Sequence, residues 1–199
     1  MMEQTKEIYG LVLSGGRSTR MGKDKSTIAY HGIPQREYLY ELLEQVCDKT
    51  FYSIRSEQKT ELSKDAQIIL DKNVFKGPYN GLLSAHDEYP NVAWLVLACD
   101  LPLMDLPSLK QLILHRNRDK MATAFATRES QLPEPLCAIW ESKGLETSKE
   151  YLINGTSTCP RKFLIHSETE LVFPRHEQVL LNANSQEEYQ EAILKLSTI

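Results

Sequence analysis

The sequence lacks the features that mark exported or membrane-spanning chains. Its 199 residues include only 4 cysteines, widely spaced and without a C-x-x-C pair, so the sequence predicts neither a zinc site nor a disulfide framework. Its longest apolar stretches, such as residues 94–99, are far shorter than the roughly 20 residues that a membrane-spanning helix requires. The N-terminus has no apolar core of a signal peptide. These absences favour a reducing cytoplasm and argue against a membrane partner.

The chain is not rich in glycine or proline, and neither positive nor negative charge is in large excess. The 9 glycines and 9 prolines, with 41% hydrophobic and 25% charged residues, exclude a collagen-like or low-complexity chain and indicate a globular protein. The 23 Lys and Arg residues against 27 Asp and Glu residues give a net charge of -4, which argues against a general nucleic-acid-binding protein. The length predicts a single domain over residues 1–199.

Short apolar runs alternate with helical patterns along the first two thirds of the chain. The runs have the composition of strands buried on both faces of a parallel sheet. The predicted strands are residues 9–13, 50–54, 67–70, 92–98 and 121–126. The predicted helices are residues 36–47, 79–88 and a segment around 109–113 that begins after Asp105 and Pro107. This alternation predicts right-handed βαβ crossovers, and therefore a three-layer α/β/α Rossmann-like fold with a mostly parallel sheet.

The last third of the chain is less regular. Its patterns predict strands at residues 135–140, 170–173 and 179–181, and a helix at residues 145–153. Ser185 and Glu188 form a capping-box pattern ahead of helically spaced apolar residues. This pattern predicts a final helix packed on the sheet.

A glycine-containing basic loop directly follows the first predicted strand. Gly15 and Gly16 allow a tight turn and expose backbone N–H groups that suit phosphate oxygens. Four cations stand within nine positions: Arg17, Arg20, Lys23 and Lys25. Because ligands of open α/β sheets bind beyond the carboxyl ends of the strands, the loop predicts a triphosphate site rather than a solvated surface loop. Its spacing matches neither the dinucleotide-binding fingerprint nor a P-loop.

Asp100 follows the most apolar predicted strand. The strand directs this carboxylate to the binding edge of the sheet, where a hard oxygen ligand suits Mg²⁺. The alternative is that Asp100 caps the turn at Pro102. Beside a predicted triphosphate loop, the metal role is the favoured interpretation. Asp100, Lys25 and Arg20 are therefore the candidate catalytic residues.

Together these segments resemble the nucleotidyltransferases of the molybdenum cofactor guanylyltransferase (MobA) family. The matching segments run in family order and span most of the chain. They are residues 13–25 (Leu-Ser-Gly-Gly-Arg-Ser-Thr-Arg-Met-Gly-Lys-Asp-Lys), Asp71, residues 77–81 (Gly-Pro-Tyr-Asn-Gly), residues 99–102 (Cys-Asp-Leu-Pro) and residues 182–188 (Asn-Ala-Asn-Ser-Gln-Glu-Glu).

The resemblance implies a role for each matching residue. Backbone groups would hold the nucleotide at Leu13, Ser14, Gly15 and Gly16. Lys25 would meet the phosphates and Asp100 would bind Mg²⁺. The guanosine side would be lined by Asp71 and by the turn from Gly77 to Gly81. The side that holds the pterin and the metal would be completed by Asn182 and Asn184, with Arg161 contacting the phosphate of molybdopterin.

The reaction that the resemblance implies is transfer of GMP from Mg-GTP to molybdopterin or its molybdenum form, giving a guanine dinucleotide cofactor and pyrophosphate. The nucleophile is a phosphate oxygen that is already ionised near pH 7, so no dedicated general base is required. Proteins that deliver the pterin or receive the product are further candidate partners. Two other hypotheses stay open. One is another nucleotidyltransferase, acting with CTP on the same pterin or on a sugar or alditol phosphate, and the other is a nucleotide-binding carrier without turnover.

Overall fold

The computed structural model describes residues 7–15, 25–63, 65–155 and 157–197, and these ranges contain seven strands and six α-helices. The strands are β1 (Ile8–Leu13), β2 (Lys49–Ile54), β3 (Ile68–Leu70), β4 (Ala93–Ala98), β5 (Ala122–Phe125), β6 (Cys137–Trp140) and β7 (Thr169–Val172). The helices are α1 (Gln35–Glu44), α2 (Tyr79–Glu88), α3 (Leu106–Leu114), α4 (Ser142–Ile153), α5 (Pro160–Ile165) and α6 (Gln186–Leu196). Short 3-10 helices lie at Lys25–Thr27, Ser56–Glu61 and Glu177–Leu180.

All seven described strands form one sheet in the order β3-β2-β1-β4-β6-β5-β7. β1 pairs in parallel with β2 and β4, β2 with β3, and β5 with β7. β6 is antiparallel to both of its neighbours. The segment that joins β5 to β6 contains no helix, and a parallel connection needs a crossover of a dozen or more residues, so the chain returns in the opposite direction. The predicted mostly parallel sheet is confirmed.

Helices cover both faces of the sheet, which confirms the three-layer arrangement. Alternate residues of β4 face opposite sides, with Leu95 and Leu97 on the side of α1 and α3, and Trp94 and Val96 on the side of α2, α4 and α5. Every residue of β4 is buried, because the strand lies inside the sheet and is covered on both faces. None of the helices in the described ranges is long and apolar enough to span a membrane.

Two predictions for the last third of the chain are wrong. Residues 179–181 form no strand; Val179 and Leu180 belong to the 3-10 helix Glu177–Leu180, and their apolar character reflects burial against the core. The capping box at Ser185 and Glu188 is present, with Ser185 Oγ accepting the Glu188 N–H at 3.2 Å. Within the described residues, however, the apolar side of α6 packs not on the sheet but in a separate cluster with Tyr30.

Candidate functional site

A cleft of about 610 Å³ lies at the carboxyl ends of the first four strands. Its lining includes Gly15 after β1, Arg55 after β2, Asp71 after β3 and Asp100 after β4. Because the strands are ordered β3-β2-β1-β4, these residues lie along the sheet edge in the spatial order Asp71, Arg55, Gly15, Asp100. Because neighbouring strands lie about 4.8 Å apart, the cleft extends over roughly 14 Å of sheet edge. An extended nucleotide can therefore lie across the strands.

The structure brings most of the predicted site residues together. Those that line the cleft are Leu13, Ser14, Gly15, Lys25, Asp71, Gly77, Gly81 and Asp100. Gly16 and Arg20, like the other loop cations Arg17 and Lys23, lie outside the described residues. The backbone of Ser14 is already engaged within the protein, since its N–H donates to the Ser53 carbonyl at 2.9 Å and its carbonyl accepts from Gln58 Nε2 at 3.0 Å. The Ser14 N–H is thus occupied by the protein rather than free for a phosphate.

Gly15 and Gly81 allow the loops around Asp71 to approach one another closely. A methyl group built on Gly15 would overlap Asp71 Oδ2, and one built on Gly81 would overlap Ser53 Oγ. Gly77 is required for a different reason, because its φ of 64° lies in the left-handed region that glycine tolerates. These glycines therefore shape the cleft at the end where Asp71 lies.

Asp71 is half-buried and held in a fixed orientation. Its Oδ1 accepts a hydrogen bond from Ser53 Oγ at 2.6 Å. Burial raises the pKa of the Asp71 carboxyl, while hydrogen bonds from Ser53 and Asn80 and the charge of Arg55 act in the opposite direction. The net rise means that these partners do not fully compensate the buried charge. Asp71 is therefore a strong acceptor for a ligand that donates hydrogen bonds.

We expect Asp71→Asn to raise the free energy of unfolding of the ligand-free protein at neutral pH and to weaken nucleotide binding. The folded-state pKa of Asp71 is raised, so the protonated carboxyl contributes stability at low pH that is lost as the pH rises through the folded pKa. Asparagine removes the charge that burial disfavours. Urea unfolding should show a larger gain over the parent at about pH 7 than at about pH 3, where the carboxyl is protonated in both states. A gain confined to the lower pH would contradict this account.

At the other end of the cleft, Asp100 lies near Lys25. Burial raises the pKa of the Asp100 carboxyl, and the Lys25 ammonium acts in the opposite direction. Lys25 Nζ donates to Asn184 Oδ1 at 2.5 Å, and the Asn184 N–H donates to the Glu188 carboxylate at 2.6 Å. The Ala183 N–H donates to the Asp100 carbonyl at 2.9 Å. The segment that directly precedes α6 therefore holds both Lys25 and the Asp100 backbone in place.

Asp100 fits the chemistry of a magnesium ligand. Among the residues that the structure describes, no group of three or more His, Cys, Asp or Glu side chains is placed to hold a metal ion. Mg²⁺ does not need such a group, because one or two carboxylates together with substrate phosphates and water usually bind it. The half-buried Asp100 carboxylate, at the sheet edge and beside the cation of Lys25, is a hard oxygen donor of this kind.

The three residues that the resemblance assigns to the pterin side are not part of the lining of this cleft. Arg161 Nη2 donates to both carboxylate oxygens of Glu134, at 2.6 and 2.7 Å, and its Nε donates to the Pro133 carbonyl at 3.1 Å. Asn182 Nδ2 donates to the Leu180 carbonyl at 3.0 Å. Asn184 reaches the cleft only through its hydrogen bond to Lys25. Glu134, where burial raises the carboxyl pKa, thus occupies the guanidinium of Arg161.

The cleft residues that the prediction did not name as site residues include Ser53, Arg55 and Asn80. For Ser53 and Arg55 the signal was position, because the strand next to β1 must end at the same edge of a parallel sheet. Asn80 stands inside the turn from Gly77 to Gly81, but no local pattern separates a cleft-lining asparagine from one that caps a helix.

Comparisons with known proteins identify the family to which this chain belongs. A family model described as "MobA-like NTP transferase domain" matches residues 10–169. A "Molybdenum cofactor biosynthesis bifunctional protein" from Synechocystis sp. is 36% identical over 184 residues, which make up 92% of this chain. This chain spans 52% of the length of that bifunctional protein. A "Molybdenum cofactor guanylyltransferase" from Burkholderia cenocepacia is 30% identical over 191 residues, with 91% of this chain and 93% of that protein covered.

The same fold occurs in a solved structure. The crystal structure of "Molybdopterin-guanine dinucleotide biosynthesis protein A" from Archaeoglobus fulgidus superimposes with a TM-score of 0.77 at 19% sequence identity. The match covers 96% of this chain and 100% of that chain. The family match extends over most of the chain, and the elements that form the cleft lie within it. The chain therefore belongs to the family of MobA-like NTP transferase domains and is a nucleotidyltransferase.

Proposed function

We propose that this protein transfers GMP from Mg-GTP to molybdopterin or its molybdenum-bound form and releases pyrophosphate. The observation that carries this proposal is the arrangement of charges in the cleft, with Lys25 and Asp100 together at one end and Asp71 at the other. The Lys25 cation and the Asp100 carboxylate suit a triphosphate with its metal. The Asp71 carboxylate, held in one orientation, suits a base that donates hydrogen bonds. Relatives named as molybdenum cofactor guanylyltransferases support the choice of nucleotide and acceptor.

In this proposal the nucleotide lies across the strands, with its base beside Asp71 and its phosphates beside Gly15 and Lys25. Lys25 is oriented by Asn184 and keeps donors for phosphate oxygens, because an ammonium group has three N–H donors. Asp100 would hold Mg²⁺, which when bound supplies neutralisation of charge on the phosphates. The described residues thus provide positioning and electrostatic stabilisation, which are the main requirements of this class of reaction.

The bond changes balance without a dedicated base. A phosphate monoester oxygen of the acceptor forms a bond to the α-phosphorus of GTP, and the bond from that phosphorus to the bridging oxygen of the leaving pyrophosphate breaks. The attacking oxygen is already ionised near neutral pH, so no proton has to be removed from it. The absence of a general base from this proposal therefore follows from the chemistry of the acceptor.

The direct test is pyrophosphate release in a mixture of the protein, Mg²⁺, molybdopterin and one nucleoside triphosphate. We expect release with GTP that depends on the pterin. GTP without pterin, and pterin with no nucleotide, are the controls. Release with CTP in preference to GTP would assign the protein to the cytidylyltransferases. No release with any triphosphate would overturn the proposed activity.

We also expect Mg-GTP to raise the melting temperature more than Mg-ATP, Mg-CTP or Mg-UTP at equal concentration. Contacts to phosphate and metal are common to the four ligands, so a difference must come from groups around the base. By ligand linkage, tenfold tighter binding at saturating ligand adds about 1.4 kcal/mol to the free energy of unfolding. Differential scanning fluorimetry measures the order, and equal shifts for all four would contradict a guanine-specific site.

A further inference from the structure

Two polar atoms at the Asp71 end of the cleft are buried and have no hydrogen-bond partner among the residues that the structure describes. They are Asn80 Oδ1 and Arg55 Nε. Both residues line the cleft. Leaving a buried donor or acceptor without a partner is unfavourable, so most such groups in folded proteins are satisfied. Because both atoms lie at the same end of the cleft as the Asp71 carboxylate, we infer that a bound ligand supplies their missing hydrogen bonds.

The orientation of the Asn80 side chain follows from its neighbours. Its amide nitrogen donates to Asn73 Oδ1 at 3.4 Å and lies near enough to the Asp71 carboxylate to lower the pKa of that carboxyl. An asparagine flipped by half a turn would place its carbonyl oxygen against the carboxylate, where two acceptors repel each other. The amide nitrogen therefore faces Asn73 and Asp71, and Asn80 Oδ1 has no donor among the described residues.

Arg55 supplies donors on the other side of Asp71. Its guanidinium is near enough to Asp71 to affect the pKa of that carboxyl, and its Nη1 lies 3.8 Å from Glu57 Oε1, too far for a hydrogen bond. The side chain is only 24% exposed, so its charge is held within the cleft rather than in open solvent. Arg55 is thus a half-buried cation with hydrogen-bonding capacity to spare.

We propose that Arg55 and Asn80 select the base: with Asp71 they read the edge of guanine. This inference rests on the proposed function. Guanine presents the acceptors O6 and N7 beside two donors, N1–H and the 2-amino group, and arginine is the usual partner of O6 and N7. Arg55 donates to this acceptor edge, while Asp71 and Asn80 Oδ1 accept from the two donors.

The other common bases do not match this set of groups. Adenine presents an amino donor in place of O6, which faces the donors of Arg55, and it has no 2-amino group. Cytosine also presents an amino donor there, and its ring nitrogen accepts rather than donates. Uracil keeps a carbonyl and one N–H but carries a second carbonyl in place of the 2-amino group. With each of these bases at least one buried group of the protein stays unpaired.

The test compares Mg-GTP, Mg-ITP, Mg-ATP and Mg-CTP by calorimetric titration of the parent and two variants. ITP is a probe for the amino contact because hypoxanthine is guanine without its 2-amino group. The parent should bind GTP roughly tenfold more tightly than ITP, the effect of one lost hydrogen bond to a buried acceptor. Asn80→Leu should weaken GTP binding roughly tenfold more than ITP binding, since only GTP offers the amino donor.

The second variant tests the contact to O6 and N7. Arg55→Met should weaken GTP and ITP binding equally, by roughly tenfold or more, and leave ATP binding nearly unchanged. Lys72→Met is the matched control for loss of a cation, because Lys72 pairs with Asp87 and is not part of the cleft lining. Asn91→Leu, on an exposed turn, is the control for loss of an amide. If either site variant unfolds, Asn80→Ser and Arg55→Gln replace it in the same titrations.

The outcomes separate this inference from the proposed function. A parent that prefers CTP, or binds no nucleotide, overturns the proposed function itself. A parent that prefers GTP, with Arg55→Met weakening GTP and ATP equally, shows that Arg55 contacts the phosphates or ribose and overturns its role at the base. Equal loss of GTP and ITP affinity in Asn80→Leu overturns the contact to the 2-amino group.

Discussion

Replacement of Asp100 by asparagine should lower kcat/KM for nucleotidyl transfer by about 10³-fold, which corresponds to about 4 kcal/mol of transition-state stabilisation. The substitution preserves the shape of the side chain and removes the charge that would ligate Mg²⁺ beside Lys25. It also removes a buried charge, so the ligand-free variant should be at least as stable as the parent. Steady-state kinetics and thermal unfolding of the same preparations measure both effects.

Asp105 offers a matched control for this variant. Its carboxylate lies near Asp100 in sequence but caps α3, accepting the Ser108 N–H at 2.8 Å. Asp105→Asn should cost at most about 1 kcal/mol of stability and leave kcat/KM near the parent value, because asparagine is also a good capping residue. An Asp100→Asn enzyme that turned over at nearly the parent rate would remove Asp100 from the mechanism.

Replacement of Gly15 by leucine should abolish measurable binding of all four Mg-nucleotides. Gly15 lines the cleft, and a side chain at this position overlaps Asp71 Oδ2 and approaches Arg55. The expected loss is at least 10²-fold in affinity, because the nucleotide cannot lie across the strands while the leucine occupies the space, and about 3 kcal/mol corresponds to that factor. Isothermal titration with each nucleotide measures it, and circular dichroism checks that the variant is folded.

A smaller substitution tests the reason for this glycine. Gly15→Ala in the parent forces a methyl group against the Asp71 carboxylate, whereas in an Asp71→Ala background the carboxylate is absent. The loss of GTP affinity caused by Gly15→Ala should therefore shrink in the second background, which a double-mutant cycle reports as a coupling energy. Equal losses in both backgrounds would mean that Gly15 is required by the phosphates and not by Asp71.

The sequence predicted the part of the fold in which local pattern and tertiary packing agree. β1, β2, β4 and α2 are buried elements whose apolar residues follow the period of the structure that they adopt, so spacing alone located them. The direction of β6 is set by the lack of a helix in the preceding connection, which residue spacing within the strand does not report. The 3-10 helix Glu177–Leu180 shows the limit of short apolar runs, which indicate burial but not backbone conformation.

The contrast between local sequence pattern and tertiary contacts also applies to the site. Asp100 was predicted from the residues themselves, because it follows a strand and strand ends converge at one sheet edge. Asp71, which also lines the cleft, was predicted from the resemblance to the MobA family. The partners of Arg161 were not predicted, because its ion pair with Glu134 joins residues 27 positions apart, and a charged residue in the sequence carries no sign of which partner it will meet. Asn80 and Arg55 show the same limit, since a missing hydrogen bond is visible only in three dimensions.

The hydrogen bond from Lys25 to Asn184 joins residues 159 positions apart in the chain. During synthesis, the strands that precede Gly15, Arg55, Asp71 and Asp100 leave the ribosome long before the segment that orients Lys25. The geometry at the Lys25 end of the cleft is therefore completed only after residue 184 has emerged. Nascent chains that stop short of residue 184 lack this hydrogen bond, so the order of translation itself delays the orientation of Lys25 until well after the four strands have been synthesised.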